Sequence, residues 1–332
     1  MVVIRNILLI ALILVLFTDQ SFGQCFSSPG NPIGGTANMG TVRKKILRVS
    51  GFYKFHYADH YLNGSEPSDL VYYHDANFSY IGNSLGYGIT DKFTAETEFG
   101  YFINKTIRYD ENYYNPHVAG TIKTGKGLSN MVVSLKHRIY KNEDKRFEWV
   151  MAAGGKVPFS TEAPMQDGVM LPVDIRPSTG SYGYVIQNYL IKENSFTGIR
   201  FFLINRFEYN FMNEQDYKFG SQFMNSLFFS KHLWFPWTKG DGLWTAIVQL
   251  RNDIRHRSIE NGLLNDNTGG YMFYVAPQLN LTLARKWNIS IMADIPVYQY
   301  YNGTQLASRV SVLFNITRDF IFNKEIREFE MD

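Results

Sequence analysis

The strongest constraint on the fold of this chain is the alternation of apolar and polar side chains from Tyr271 to Leu283. Apolar residues take every second position for most of this stretch, and Gln278, Asn280 and Thr282 lie between them. Successive side chains of a β-strand point to opposite faces, so the segment has one apolar face and one polar face. The same pattern recurs along nearly the whole chain and predicts an all-β protein.

The first residues predict export. Arg5 precedes an apolar run from Ile7 to Phe17, and Ser21 to Gly23 supply the small residues of a cleavage site. The run is shorter than the roughly 20 residues of a spanning helix, so we expect a signal peptide over 1–23. The alternative is a lipoprotein signal that lipidates Cys25, although the residues before it fit that motif poorly.

Composition excludes several classes of protein. Cys25 is the single cysteine, which excludes disulfides within the chain and metal sites built on cysteines. The net charge of +3 is spread over scattered residues, and nothing predicts nucleic acid as a partner. Aromatic residues make up 16% of the chain, as expected where a barrel wall crosses two lipid–water interfaces. His56 and His60 would lie about 13 Å apart on a strand, too far to share a metal ion.

The alternating segments number about twelve. Their predicted spans are 44–61, 74–90, 92–108, 127–142, 146–158, 181–192, 196–212, 216–233, 243–257, 270–284, 287–300 and 305–317. Short connections alternate with the long segments 62–73, 109–126, 159–180 and 258–269. Short periplasmic turns, long external loops and an even strand number are typical of outer-membrane barrels in Gram-negative bacteria.

A secreted soluble barrel or sandwich would show the same alternation. Most of the predicted strands reach the 9–11 residues of a transmembrane strand, however, whereas strands of soluble sheets average about 5–6 residues. We therefore predict an all-β transmembrane antiparallel β-barrel of about 12 strands in the outer membrane. Its parts are a periplasmic N-terminal lead-in over 24–43, the barrel over 44–317 and a periplasmic tail over 318–332.

If the apolar face of each strand contacts lipid, the charged side chains on its opposite face line the lumen. They are Arg48, Lys54, Glu96, Glu98, Arg206, Glu208, Arg251, Asp253, Asp294 and Arg309. Charge facing mid-membrane lipid costs about 2–4 kcal/mol for Arg or Lys, which explains the segregation. Because both signs occur, one interpretation is a structural network of ion pairs that fills the barrel. The other is a selectivity ladder for a polar or charged solute.

Several motifs resemble one family. Four segments are similar to segments of an outer-membrane barrel family. They are Leu171-Pro172 followed by Thr179-Gly180-Ser181, the strand that follows Gly127-Leu128, the segment Gly154 to Pro158, and a closing hairpin from Pro296 to Leu306. That family is known as the MetA pathway of phenol degradation. The resemblance covers much of residues 127–317 and implies a passive channel or transporter for small, often hydrophobic, molecules. It implies no catalytic, cofactor or metal residues, and its glycines and prolines are expected to set backbone geometry.

Two departures and two alternative functions accompany this resemblance. Ser129-Asn130 stands where the family tends to have Gly-Asp, and the chain lacks a terminal aromatic signal for the barrel-assembly machinery, for which Phe320 or Phe322 could substitute. The chain is not expected to be an enzyme, but an outer-membrane lipid hydrolase is one alternative, since His137 has outward parity. The other is a surface-interaction or structural barrel with a plugged lumen, displaying loops such as Asn112 to Asn115 and 159–180. Loops of this kind can equally fold inward and constrict a pore.

Overall fold

A computed structural model describes residues 40–69, 72–112, 116–117, 119–233, 242–284 and 287–322. Several predictions lie outside these residues: the signal peptide, Cys25, most of the N-terminal lead-in and the C-terminal tail beyond 322. The connection over 234–241, the turn at 285–286 and residues 113–115 of a candidate display loop also lie outside them.

Eleven strands form one antiparallel sheet that closes on itself. Their side chains alternate between buried and exposed, as the period-2 sequence pattern predicts. In chain order they are β1 (Ile46–Gly64), β2 (Tyr73–Gly88), β3 (Phe93–Tyr109), β4 (Asn130–Asn142), β5 (Phe147–Pro158), β6 (Gly183–Glu193), β7 (Arg200–Asn210), β8 (Gln222–Leu233), β9 (Gly242–Arg255), β10 (Gly270–Leu283) and β11 (Trp287–Ile321).

The last strand crosses the wall twice. Residues 287–301 of β11 pair antiparallel with β10, and residues 304–321 pair antiparallel with β1. A closed sheet in which every neighbouring pair is antiparallel needs an even number of passes, so the 35 residues of β11 must reverse direction between these two arms. Gly303, with φ of 51°, lies at the reversal. The chain therefore makes twelve passes, and the prediction of an antiparallel barrel of about twelve strands is confirmed.

The connections fall into two classes. One rim of the wall carries the short turns after β2, β4, β6 and β10, together with the first residue of β1 and the last residue of β11. We assign this rim to the periplasm. The longer connections at the other end carry small elements: Glu66–Pro67, Ile122–Leu128, the hairpin Met165–Gln166 with Val169–Met170, a 3-10 turn Val173–Ile175, and the outer sheet Tyr217–Lys218, Ile259–Glu260 and Leu263–Leu264. Within the described residues, no helix has the length and hydropathy needed to cross a membrane.

Two predicted strands differ in extent from the observed ones. The segment predicted over 216–233 joins the wall only at Gln222, because the side chain of Asn213 accepts hydrogen bonds from the backbone of Gln215 and Tyr217 and turns the chain into the outer sheet. The predicted strand 127–142 is split at Ser129. Gly127 and Leu128 belong instead to a separate short strand, Ile122–Leu128, which pairs with the extracellular half of β3.

The outer wall is apolar. Exposed Ile81, Val133, Leu135 and Ile291 are among the large hydrophobic side chains on it, and stacked rings at its extracellular side include Tyr184 and Tyr209, whose centroids lie 5.1 Å apart. Polar and charged side chains are buried on the inside. This is inverted relative to a soluble barrel and matches the requirement of a hydrocarbon surrounding. The chain is an outer-membrane β-barrel.

Candidate functional site

The candidate site is the barrel interior. Its charged side chains alternate with apolar outward residues, and strand pairing aligns them into two clusters. The β3–β7 cluster contains Glu96, Glu98, Lys136, Lys156, Arg206 and Glu208, and the β9–β1 cluster contains Lys54, Arg251, Asp253 and Asp294.

Ion pairs in the β3–β7 cluster span the interior. Arg206 Nη1 donates to Glu98 Oε2 at 3.0 Å, although β7 and β3 are separated by three intervening strands of the wall. Lys156 Nζ donates to Glu208 Oε1 at 2.8 Å, and Lys136 pairs with Glu96. A bond between strands that are not neighbours must cross the lumen, so this cluster ties separate parts of the wall together.

The β9–β1 cluster is centred on a carboxylate. Asp294, only 1% exposed, accepts hydrogen bonds from Arg251 Nη1 at 3.0 Å and from Lys54 Nζ at 3.4 Å. Arg251 Nε lies 3.3 Å from Asp253 Oδ2, and the guanidinium lies 4.3 Å from the ring centroid of Tyr274. Each charge in the cluster therefore has an opposite charge within ion-pair distance, as buried charges require.

Aromatic side chains fill the interior beside these clusters. The tip of the Phe52 ring lies against Gly82, so closely that a Cβ at Gly82 would be 1.9 Å from Phe52 Cζ. Tyr80 covers Gly100 in the same way, and its hydroxyl lies 3.0 Å from Ser129 Oγ. Phe52, Tyr80 and Phe102 form a buried cluster with Ala276, Met292 and Leu313. The two glycines make room for rings that would otherwise strike the wall.

Residues 171–181, here called the inner segment, fold into the extracellular mouth. Leu171 and Ile175 are buried against wall residues of β1, β2, β3 and β11. Asn130 Oδ1 accepts three hydrogen bonds from the inner segment: Ser178 Oγ at 3.0 Å, Thr179 Oγ1 at 3.1 Å and Thr179 N at 3.2 Å. Residues 171–181 of the loop named as a candidate for surface display therefore lie inside the barrel, whereas the hairpin Met165–Gln166 with Val169–Met170 is exposed. The Thr-Gly-Ser motif is part of the anchor.

The opposite end of the interior contains a cavity of about 460 Å³. It lies beside the periplasmic turn at Arg146, and Glu193 pairs there with both Arg146 and Arg200. Phe202 and Ile191 form apolar parts of its lining. Between this vestibule and the inner segment, the mid-lumen side chains among the described residues are almost fully buried, with Arg206 at 5%.

The structure places nine of the ten predicted lumen residues in interior or periplasmic ion pairs. Arg48 pairs with Asp319 at 2.7 Å by the periplasmic opening, and eight of the others pair within the two clusters described above. Glu208 pairs with both Lys156 and Arg206. Arg309 lies apart: its side chain is 62% exposed and pairs with Asp59 near the extracellular rim. The bulge beside it in the β1 pairing shifts its register, which sequence alternation does not reveal.

Sequence analysis did not select three of the partners: Lys136, Lys156 and Asp319. Each has inward parity on its strand. The alternation rule applied to every charged residue would have included Lys136 and Lys156, whereas Asp319 lies beyond 317, where the predicted barrel ends. The described part of the chain contains no group of three or more His, Cys, Asp or Glu side chains placed to hold a metal ion.

The motifs behind the family resemblance serve backbone geometry in this fold. In the closing hairpin, Gln299 exchanges two hydrogen bonds of 2.9 Å with the backbone of Ser308, and Gln305 Nε2 donates to the Gly269 carbonyl at 2.8 Å. Gly180 and Gly303 have positive φ values of 66° and 51°. These positions need the conformational freedom of glycine.

Comparison with known proteins supports the barrel fold. No protein-family model matches the chain, and no curated protein matches its sequence. Its fold is similar to that of an outer membrane channel from Pseudomonas putida F1, with 10% identity and a TM-score of 0.63 over 86% of this chain and 99% of that one. The NanC porin is less similar, with 12% identity and a TM-score of 0.41 over 82% of this chain and 98% of the porin. The toluene transporter TodX of P. putida has 7% identity and a TM-score of 0.38 over 85% of this chain and 92% of TodX.

Proposed function

We propose that this protein is a passive channel for small molecules, closed in the conformation described here, and that movement of the inner segment opens its extracellular mouth. The observation that carries the proposal is the way in which the inner segment is held. A single wall side chain, Asn130, accepts three of its hydrogen bonds, and the segment closes a lumen with a vestibule at its other end. Such a contact can be broken without dismantling the wall.

The interior favours neutral solutes over ions. The two clusters contain five acidic side chains (Glu96, Glu98, Glu208, Asp253, Asp294) and five basic ones (Lys54, Lys136, Lys156, Arg206, Arg251), so their charges compensate. Compensated charges give little selection for either sign of ion. Apolar rings such as Phe52, Phe102 and Phe228 line much of the remaining interior and provide contacts for uncharged molecules.

Two comparisons support this class of function. The P. putida F1 barrel of similar fold is described as an outer membrane channel. The motif resemblance to the phenol-degradation barrel family points to small, often hydrophobic, solutes. We therefore propose uncharged aromatic or aliphatic compounds of low mass as the solutes, moving down their concentration gradient through the outer-membrane lipid barrier.

Solute entry into proteoliposomes tests the proposal. The wild-type barrel and a variant in which 161–178 is replaced by a short Gly-Ser linker are reconstituted at equal density, and entry of neutral solutes of graded size is followed. We expect slow entry with wild type and at least tenfold faster entry with the shortened variant. Equal, negligible entry through both folded proteins would contradict a lumenal channel.

A surface-interaction barrel is the second candidate function. Two hairpins at the extracellular end present exposed apolar side chains: Met165, Val169 and Met170 on one, Leu263 and Leu264 on the other, the last two 75% and 60% exposed. Exposed apolar side chains at loop tips are typical of protein contacts. Substitution of Leu263 and Leu264 by Ser would abolish such contacts and leave solute entry unchanged, which separates the two functions.

We do not propose an enzymatic function. The residue that suggested one, His137, stacks on the neighbouring outward ring of Phe93 with centroids 4.3 Å apart and planes 4° apart. An aromatic stacking role at the membrane interface accounts for this histidine without chemistry. A lipase assay on the refolded barrel, with release of fatty acid as the readout, checks this expectation.

A further inference from the structure

The outer wall carries a row of asparagines at a depth where the wall faces lipid. Asn188 of β6 is in register with Asn205 of β7, Asn205 with Asn225 of β8, and Asn225 with Asn252 of β9. All four have outward parity, since Gln187, Arg206, Ser226 and Asp253 beside them are buried inside the barrel. We call these four residues the asparagine ladder.

Hydrogen bonds run along most of the ladder. Trp149 Nε1 donates to Asn188 Oδ1 at 2.7 Å, Asn188 Nδ2 to Asn205 Oδ1 at 3.0 Å, and Asn205 Nδ2 to Asn225 Oδ1 at 2.5 Å. At the other end Asn252 Nδ2 donates to the hydroxyl of Tyr271 at 2.9 Å. The bonds hold the carboxamides in fixed orientations on the wall.

The ladder crosses the membrane obliquely. Trp149 lies close to the periplasmic end of β5, whereas Tyr271 is the second residue of β10 at its extracellular end. Hydrogen-bonded rows run across tilted strands, so a row that begins near one interface climbs toward the other. The asparagines between these two interfacial aromatic residues therefore traverse the hydrocarbon region.

Rows of apolar side chains flank the ladder in the same register. On one side lie Leu190, Leu203, Leu227 and Leu250, and on the other Ile186, Phe207, Phe223 and Ile254. The pairings of β6 through β10 contain no register shift, unlike those of β1 with β11 or β2 with β3. The result is an ordered, uncharged face with a polar stripe through its middle.

Lipid cannot satisfy the hydrogen-bonding groups of the asparagine ladder. Each carboxamide offers two N–H donors, and the ladder bonds of Asn188 and Asn205 occupy one each. Hydrocarbon offers no partner for the second N–H, and an unsatisfied polar group there costs several kcal/mol. A protein surface with its own amides would satisfy these groups, as polar side chains do between helices in membranes.

We propose that this face is a protein–protein interface within the membrane and that its occupant is a second copy of this chain. A two-fold contact places one patch against itself, and carboxamides are both donors and acceptors, so the ladder complements its own copy. The asparagine ladder and its two flanking rows contain no charged side chain that self-association would oppose. Five strands about 4.8 Å apart and an apolar band about 25 Å tall give about 600 Å² per protomer, or about 1,200 Å² in total, the lower end of specific interfaces.

The geometry identifies the residues nearest the symmetry axis. Both copies insert in the same orientation, so a two-fold axis must run along the membrane normal, and two oblique ladders related by it cross rather than align. Amide contacts between copies then concentrate where the ladders cross. The central members, Asn205 and Asn225, are the residues expected at that crossing.

Disulfide cross-linking in native outer membranes tests the proposal. In a Cys25→Ser background, Asn205→Cys is compared with Ile291→Cys, an outward position on β11 with 52% exposure, as the matched control. Heat-modifiable gel mobility verifies that each variant is folded. We expect a dimer of twice the chain mass from Asn205→Cys at least tenfold above that from Ile291→Cys. Equal cross-linking of both variants would mean random collision and overturn the interface, and an adduct of another mass would overturn the second copy as occupant.

A second variant distinguishes an interface from a lipid-facing ladder. Asn205→Leu/Asn225→Leu removes the polar centre and improves contact with lipid. We expect wild type to be dimeric and the double variant monomeric by single-molecule photobleaching in bilayers at equal protein density. A wild type that stays monomeric at high protein-to-lipid ratio would overturn the proposal.

Discussion

At the scale of single residues, the interior charges act as members of pairs. Glu98 faces Arg206 across the lumen, and Arg206 is 5% exposed, so removal of the carboxylate leaves a buried guanidinium short of one partner. Breaking a buried pair costs about 3–5 kcal/mol, whereas an exposed pair contributes about 0–1 kcal/mol.

Substitution of Glu98 therefore distinguishes a dry interior from a wet one. Glu98→Ala is expected to lower the free energy of unfolding in lipid vesicles by about 3 kcal/mol or more, measured by urea titration. The double variant Glu98→Leu/Arg206→Met should recover most of the loss, because it leaves no unpaired charge. A loss below about 1 kcal/mol for Glu98→Ala would indicate that water already solvates the pair.

Substitution of Gly82 tests whether aromatic rings are tightly packed inside the barrel. A Cβ there would lie 1.9 Å from the Phe52 ring, so Gly82→Ala should displace the ring and lower stability by about 1–3 kcal/mol in the same titration. Gly155→Ala is the control, since its Cβ would meet no atom within 4 Å. Equal effects of the two substitutions would mean that loss of glycine itself, not the Phe52 contact, is responsible.

The sequence predicted the direction of these side chains and the possibility that acidic and basic ones pair across the lumen, but not which pairs form. Alternation places Glu98 and Arg206 on the inner face, yet their contact depends on wall curvature and register over five consecutive strands. For Arg309 the predicted direction itself was wrong, because a β-bulge beside it turns the side chain outward and the sequence pattern does not reveal the bulge.

At the scale of elements, the sequence left open whether the inner segment is displayed or folds into the barrel. The segment is polar and rich in proline and glycine near residues 172–181, which is typical of an exposed loop. Its burial depends on tertiary contacts that no local pattern encodes: Asn130, the carbonyl of Ile175 against Gly125, and the pocket for Leu171 and Ile175 between wall strands.

Release of the inner segment should be visible by proteolysis. Gly125→Ala would place a Cβ 1.9 Å from the Ile175 carbonyl oxygen, and Asn130→Ala would remove three hydrogen bonds, so both should expose 171–181. On whole cells we expect wild type and the Gly155→Ala control to resist added protease in this segment and both variants to be cleaved at least tenfold faster. Cleavage of wild type at the same rate would show that the segment is displayed.

At the scale of the whole molecule, the fold follows closely from the sequence because one rule governs every strand. Alternation, strand length and the asymmetry of the connections together predicted a closed antiparallel barrel, and the twelve passes of the chain agree with it. Whether the lumen is open or packed could not be predicted from the sequence, because the same alternation is found in a water-filled pore and in a barrel packed with paired charges.

In the closed channel proposed here, the inner segment closes the extracellular mouth of the lumen, and the vestibule lies at the periplasmic end. Single-channel conductance of the refolded protein in planar bilayers tests this closure most directly, with wild type compared with Asn130→Ala and Gly125→Ala. We predict that wild type is silent for most of the record and that both variants show frequent conducting states. A large, steady conductance from folded wild type, unchanged in the two variants, would contradict a lumen closed by the inner segment.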